Sequence, residues 1–103
     1  MTTTIKGQQA MQNKSLSGSG STVTITAPNK WKGVIYIVSA STYAMAVVLV
    51  NVTSAGAVST TLIGGTMTSV NMSTSANTIV IADTSTSAVI FVQTLSETQP
   101  TIE

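Results

Sequence analysis

Short apolar runs, some alternating with polar residues and some continuous, divide the chain into strands separated by polar turns. The segment 22–27 alternates strictly, with Val23 and Ile25 placed between three threonines, as in a strand that buries one face. Comparable runs predict further strands over 33–39, 43–52, 57–63, 67–73, 78–82 and 88–95. About seven short strands with frequent turn signals predict an all-β fold, an antiparallel β-sandwich that is jelly-roll-like or a barrel.

The central stretch 33–52 carries no charged residue and has two physical interpretations. Its length matches a transmembrane helix, which needs about 20 apolar residues. Its many β-branched residues, and the polar run Ser39-Ala40-Ser41-Thr42 in its middle, favour two strands joined by a turn. Both strands are apolar on both faces, and such strands are covered on both faces. We therefore expect another subunit to supply the second cover.

The two ends of the chain lack the strand pattern. Residues 1–21 show no sustained period and end in a Ser/Gly-rich linker, so we predict an N-terminal arm that contributes little to a sandwich spanning 22–95. Residues 96–103 read as a polar tail. The arm is either a frayed terminus or a docking segment for a partner. In the docking interpretation, the apolar anchors and the lysines that would favour an acidic partner surface are Ile5, Lys6, Met11, Lys14 and Leu16.

Composition excludes several classes of chemistry. The chain has no cysteine and no histidine, which rules out disulfides, cysteine zinc sites and Ser–His catalysis. Asp83 and Glu97 flank the last predicted strand at opposite ends, so they do not form a catalytic pair. We predict no enzymatic activity, no cofactor and no metal site.

The small number of charges points to an assembly. Charged residues make up 7% of the chain and the net charge is +1, which argues against a nucleic-acid surface. Roughly a third of the residues are serine or threonine. A free monomer usually carries more charge. With the charge-free span 33–82, this composition predicts a homo-oligomer, and we favour a trimer.

Two aromatic residues are candidate ligand contacts. Trp31, the only tryptophan, stands at the start of a predicted strand. At this position, packing over the end of the core is favoured over a ligand-binding role. Tyr43 follows the polar turn of the central stretch.

The strand sequences themselves carry a resemblance. Within 22–95 the chain contains five strand sequences in this order: Thr-Val-Thr-Ile-Thr, Trp-Lys-Gly-Val-Ile-Tyr-Ile-Val, Tyr-Ala-Met-Ala-Val-Val-Leu-Val, Asn-Thr-Ile-Val-Ile and Ala-Val-Ile-Phe-Val. In rhythm and composition this segment resembles the small β-sandwich virion proteins of tailed bacteriophages, such as head-decoration, head-fibre and tail-fibre tip proteins. The resemblance implies a structural role in the virion, symmetric and often trimeric self-association, and N-terminal attachment to a larger virion protein such as the major capsid or tail protein.

Other functions remain open at this stage. A receptor- or glycan-binding fibre tip is the principal alternative, and it would use exposed aromatic residues. A small membrane protein built on 33–52 ranks below it, and an enzyme ranks last.

Overall fold

The chain forms two antiparallel sheets packed together into a sandwich. The structure is a computed structural model that describes residues 11–16, 21–39, 45–65, 70–83 and 87–103. Within these ranges the regular structure is all strand, with no helix. The strands are β1 (Gln12–Leu16), β2 (Thr22–Thr26), β3 (Lys32–Ser39), β4 (Met45–Val52), β5 (Val58–Gly65), β6 (Val70–Ser75), β7 (Thr78–Asp83), β8 (Ala88–Thr94) and β9 (Thr101–Ile102).

The first sheet has five strands in the order β1-β8-β3-β4-β5, and the second has four in the order β6-β7-β2-β9. All neighbouring strands are antiparallel. The predicted all-β sandwich is therefore confirmed. β3 and β4 occupy most of the central stretch, so its interpretation as one transmembrane helix is wrong.

The core lies between the sheets and is built by alternate residues of the inner strands. Val23 and Ile25 of β2 are fully buried, as the strict alternation of 22–27 predicts. Burial of one such side chain stabilises the fold by about 1.5–3 kcal/mol. The other buried core residues of the inner strands are Ile35, Ile37, Ala46, Val48, Val50, Val52, Ile79, Ile81, Ala88, Ile90 and Val92.

The N-terminal segment is a correction to the sequence-based prediction. Residues 12–16 form β1, which pairs with β8 at the edge of the five-stranded sheet. Leu16 is only 2% exposed and belongs to the core. The prediction that residues 1–21 contribute little to the fold is wrong for 12–16, because this segment supplies both a strand and a core side chain. Residues 1–10 and 17–20 lie outside the described residues.

The C-terminal segment also takes part in the sandwich. Thr101 and Ile102 form β9, which pairs with β2, and Ile102 packs against the core. The side-chain amide Nε2 of Gln12 donates to the main-chain oxygen of Pro100 at 3.0 Å, which links β1 to the segment before β9. The sandwich thus extends beyond the predicted limits of 22–95 at both ends.

Three turns meet at one end of the sandwich through Asn77. The main-chain nitrogen of Asn77 donates to the main-chain oxygen of Gly56 at 2.9 Å, and its main-chain oxygen accepts from the main-chain nitrogen of Ala27 at 2.8 Å. The side-chain Nδ2 donates to the oxygen of Ala27 at 2.9 Å and to Oδ1 of Asn29 at 2.8 Å. Asn77 has φ of 59°, a conformation that asparagine tolerates better than most residues. These bonds fix the loop that leads into β3.

Candidate functional site

The outer face of the five-stranded sheet is the candidate site. Ile35 and Ile37 of β3 are buried in the core, so the residues that alternate with them point to the opposite side. The same alternation on β8 and β4 completes a block of three strands by three rows. We define the outer face by its nine residues, which are Val34, Tyr36, Val38, Met45, Val47, Leu49, Val89, Phe91 and Gln93.

Cross-strand register brings these side chains into contact rows. Tyr36 lies opposite Phe91 on one side and Val47 on the other. Val38 lies between Val89 and Met45 in the next row. Side chains opposite one another in neighbouring strands are about 4.5–5.5 Å apart at Cβ. The outer face is therefore one contiguous surface, and eight of its nine members are apolar or aromatic.

Most of this surface stays accessible in the single chain, although Val34 is buried. Leu49 is 42% exposed and Met45 is 40% exposed. Tyr36, Val47 and Phe91 are half-buried, because their neighbours within the sheet shield them from the side. Contiguous apolar surface on a soluble chain marks an interaction site more often than a solvated surface.

Among the described residues, polar side chains border the outer face at one end and along parts of its two flanking strands, and exposed Ile63 on β5 interrupts this rim. Lys32 and Asn51 stand at one end of the block, where the Lys32 Nζ donates to the Asn51 Oδ1 at 2.9 Å. The flanking strands β1 and β5 carry the remaining exposed rim residues, which are Asn13, Ser15, Ser59 and Thr61. An apolar centre within a polar border is the usual anatomy of a protein interface.

The polar groups in the middle of the outer face pair with each other. The Tyr36 hydroxyl donates to Oε1 of Gln93 at 2.9 Å. A buried hydroxyl without a partner would cost about 1–3 kcal/mol. Because this bond already exists in the single chain, covering the outer face leaves the Tyr36 proton satisfied.

A shallow hollow of about 520 Å³ continues the outer face toward the Lys32 end. Two exposed leucines, Leu49 and Leu95, contribute its apolar surface. The residues that line it are Lys32, Gly33, Leu49, Val50, Asn51, Ser59, Thr61 and Leu95. The lining thus combines an apolar part with polar groups at its border, as the outer face itself does.

The opposite surface of the sandwich has a different character. In the four-stranded sheet, Val23 and Ile25 point into the core, so Thr22, Thr24 and Thr26 face outward. β6 adds exposed Asn71, Ser73 and Ser75 to this surface. Val80 and Ala82 of β7 lie between these polar positions and are half-buried. This outer surface is thus mostly polar, whereas the outer face of the five-stranded sheet is mostly hydrocarbon.

Trp31 is buried, so its side chain is not at the surface, where one sequence-based hypothesis placed a ligand contact. Its side chain is 1% exposed, and its indole Nε1 donates to Oγ1 of buried Thr94 at 3.3 Å. The ring lies against Gly33, where any Cβ would overlap it. The alternative interpretation of Trp31 as a core residue at the strand entrance is confirmed.

The predicted docking residues have different outcomes in the structure. Leu16 is buried in the core of this chain, so its predicted role as a partner anchor is wrong. Met11 is 45% exposed and Lys14 is exposed, and their docking role stays a prediction. Ile5, Lys6 and Tyr43 lie outside the described residues.

Sequence reasoning anticipated only part of the outer face. The doubly apolar pattern of 33–39 and 43–52 indicated that β3 and β4 need a second cover. The contribution of β8 was missed, although Ala88-Val-Ile-Phe-Val92 is also apolar at consecutive positions and carries the same signal.

Across the part of the chain that the structure describes, no three histidine, cysteine, aspartate or glutamate residues lie close enough to hold a metal ion. Over the same residues, no helix has the length and apolarity needed to cross a membrane. Comparison of the chain with protein-family models, with curated proteins and with solved structures gives no match.

Proposed function

We propose that this chain is a non-enzymatic structural protein of a bacteriophage virion, acting as capsid decoration, head fibre or tail component. It works as a homo-oligomer, and a trimer is the expected number of copies. The observation that carries the proposal is the outer face, an apolar surface with a polar rim on a chain of very low charge. The strand rhythm that resembles small virion sandwiches supplies the biological setting.

The energetics of the outer face support assembly. Apolar surface removed from water contributes about 25 cal/mol per Å², so burial of some 500 Å² would contribute on the order of 12 kcal/mol before the costs of association. Those costs are about 4–15 kcal/mol. The two terms are comparable, so a chain with such a face associates when it meets a well-fitting partner at adequate concentration.

Attachment to the larger particle is assigned to residues 1–10 together with exposed Met11. This segment carries Ile5 and Lys6 and precedes β1, which is fixed to the sheet from Gln12 onward. A short extended segment can add to a sheet edge or a groove of a partner, where main-chain hydrogen bonds supply affinity. An acidic docking surface would suit Lys6 and exposed Lys14.

The virion role is tested on particles produced from the genome that encodes this chain. Density-gradient fractions are analysed by quantitative mass spectrometry for the chain and for the major capsid protein. We expect the chain in the particle fraction at a fixed ratio to the capsid protein. Its absence from purified particles, with the chain recovered only among free proteins, would contradict the proposal.

Attachment is tested by deletion of residues 1–10, which leaves β1 intact. We expect the truncated chain to fold and to self-associate like the parent, and to be lost from the particle fraction. Normal incorporation of the truncated chain would contradict the docking role of this segment.

The receptor- or glycan-binding alternative has less support than the structural role, because Trp31, one of its two aromatic candidates, is a buried core residue. It rests on Tyr43 alone. A glycan array probed with the parent chain and with Tyr43→Ala separates the two: specific binding that the substitution abolishes would favour the fibre-tip function.

A further inference from the structure

We infer that the outer face of the five-stranded sheet packs against the same face of neighbouring copies of this chain, so that these faces meet at the symmetry axis of the oligomer. The inference rests on the proposed self-assembly and assigns the surface that carries it. Its grounds are the contrast between the two outer surfaces, the charge of the face and its size.

The contrast between the two outer surfaces indicates that one of them is covered. On β2 the outward positions are Thr22, Thr24 and Thr26, whose hydroxyl groups suit a solvated surface. On β3 the equivalent positions are Val34, Tyr36 and Val38. A sheet with one solvated face normally alternates apolar-in and polar-out, as β2 does, whereas β3 has the composition of a strand buried on both faces.

The charge of the surface fits a second copy of the same chain. Lys32 is the single charged residue among the nine residues of the outer face and its six-residue rim, and its Nζ is bonded to Asn51. A partner with many charges would leave them unpaired against hydrocarbon, which is costly. Another copy of the same face avoids this cost, because it is nearly neutral and places its own Lys32 at the border.

The size of the surface is adequate for self-association. At about 4.8 Å between strands and about 6.8 Å between rows, the fifteen residues of the outer face and its rim cover a flat area on the order of 500 Å². Projecting side chains make the accessible area larger than the flat area. Stable interfaces bury about 800 Å² of accessible surface per partner, so the face has the same order of size as such an interface.

Single substitutions on the outer face test the inference. Leu49→Lys places an ammonium group within the proposed contact, and because Leu49 is 42% exposed in the single chain, its replacement leaves the core of the protomer intact. Leu49→Glu makes the same change with the opposite sign. Met45→Lys, at the other end of β4, is the second probe in case a Leu49 variant fails to fold. Ser73→Lys, on the hydroxyl-rich surface of the other sheet, is the matched control.

Sedimentation equilibrium of the full chain and of each variant gives the association constant. We expect the parent to sediment as an oligomer of the 10.5 kDa chain, and Ser73→Lys to match it. Leu49→Lys should associate on the order of 100-fold or more weakly, because a buried unpaired charge opposes association. Leu49→Glu should also weaken association, by less where the neighbouring Lys32 pairs with the carboxylate. Folding of each protomer is verified by the fluorescence of buried Trp31.

Two results would overturn the inference, and they have different consequences. An oligomeric parent whose association is unaffected by Leu49→Lys, Leu49→Glu and Met45→Lys would leave self-assembly in place but assign it to another surface. A parent that is monomeric at all concentrations would refute the self-assembly and the face together. The virion role is read separately, from the particle fractions.

Discussion

Truncation of Leu16 to alanine should destabilise the fold strongly, because this side chain closes the core at the edge strand β1. Leu16 is 2% exposed and packs within the cluster of buried residues from both sheets. Removing a buried leucine side chain costs about 2–5 kcal/mol, through lost transfer energy and the cavity left behind. A domain of this size has a total stability of about 5–15 kcal/mol, so the loss is a large fraction of the whole.

The expected loss translates into a clear shift in thermal stability. One kcal/mol moves the melting temperature of a domain of up to 100 residues by about 4–8 °C, so a loss near 3 kcal/mol predicts a fall of roughly 12–24 °C. Urea unfolding followed by the fluorescence of Trp31 measures the free energy directly, since this single tryptophan is 1% exposed when folded. Protein concentration is held constant throughout, because association also stabilises the folded state.

Met11→Ala is the matched control, because Met11 precedes the same strand but is 45% exposed. Its effect should stay within about 0.5 kcal/mol, as for most surface substitutions. If Leu16→Ala and Met11→Ala unfold at the same urea concentration, β1 adds nothing to stability and the N-terminal segment is an arm after all. A loss confined to Leu16 would establish that 12–16 belongs to the folding unit.

Three further substitutions test particular parts of the fold by the same unfolding measurement. Gly33→Ala should cost about 1–3 kcal/mol, because a Cβ there overlaps the ring of Trp31; parental stability would mean that the ring does not occupy this space. Asn77→Ala should be less stable than Asn77→Gly by up to about 1 kcal/mol. Both variants lose the side-chain hydrogen bond to the oxygen of Ala27, but only glycine readily keeps a positive φ. Equal stability of the two variants would refute the role of φ. Val48→Asp buries an unpaired carboxylate at a position only 5% exposed, costing several kcal/mol, and should prevent folding, as measured by circular dichroism; a parental spectrum would move Val48 out of the core.

The inner strands could be predicted from the sequence because their side chains follow the burial pattern directly. Val23 and Ile25 alternate with threonines, and the structure buries both valine and isoleucine while the threonines face outward. Each predicted strand corresponds to one strand of the sandwich, from β2 to β8, with bounds that differ by a few residues. Local periodicity is enough to predict a strand when one of its faces is solvated and the other buried, or when both faces are apolar.

The edge strands could not be predicted, because their sequences carry almost no periodic signal. β1 reads Gln-Asn-Lys-Ser-Leu and has a single apolar residue, Leu16. β9 consists of Thr101 and Ile102 alone. Both become strands because a neighbour, β8 or β2, offers an unpaired edge, and this information lies more than 70 residues away in the chain.

The sequence could predict that a second apolar surface exists, but not which strands and residues form it. The doubly apolar pattern of β3 and β4 indicated a second covered surface. The pairing of β3 with β8, which brings Phe91 beside Tyr36, depends on strand order and is not encoded locally. The burial of Trp31 likewise depends on Gly33, two residues later on the same side of the strand, which leaves space for the indole ring.

The most direct test of the account is the reactivity of a single thiol placed on the outer face. The natural chain has no cysteine, so Leu49→Cys and Ser73→Cys each introduce one unique reporter. Labelling with a maleimide is followed over time in the assembled protein and again after dilution. If the outer faces meet between copies, the thiol at position 49 reacts much more slowly than the thiol at position 73 and speeds up on dilution. Equal rates for the two thiols at high concentration would contradict the central claim.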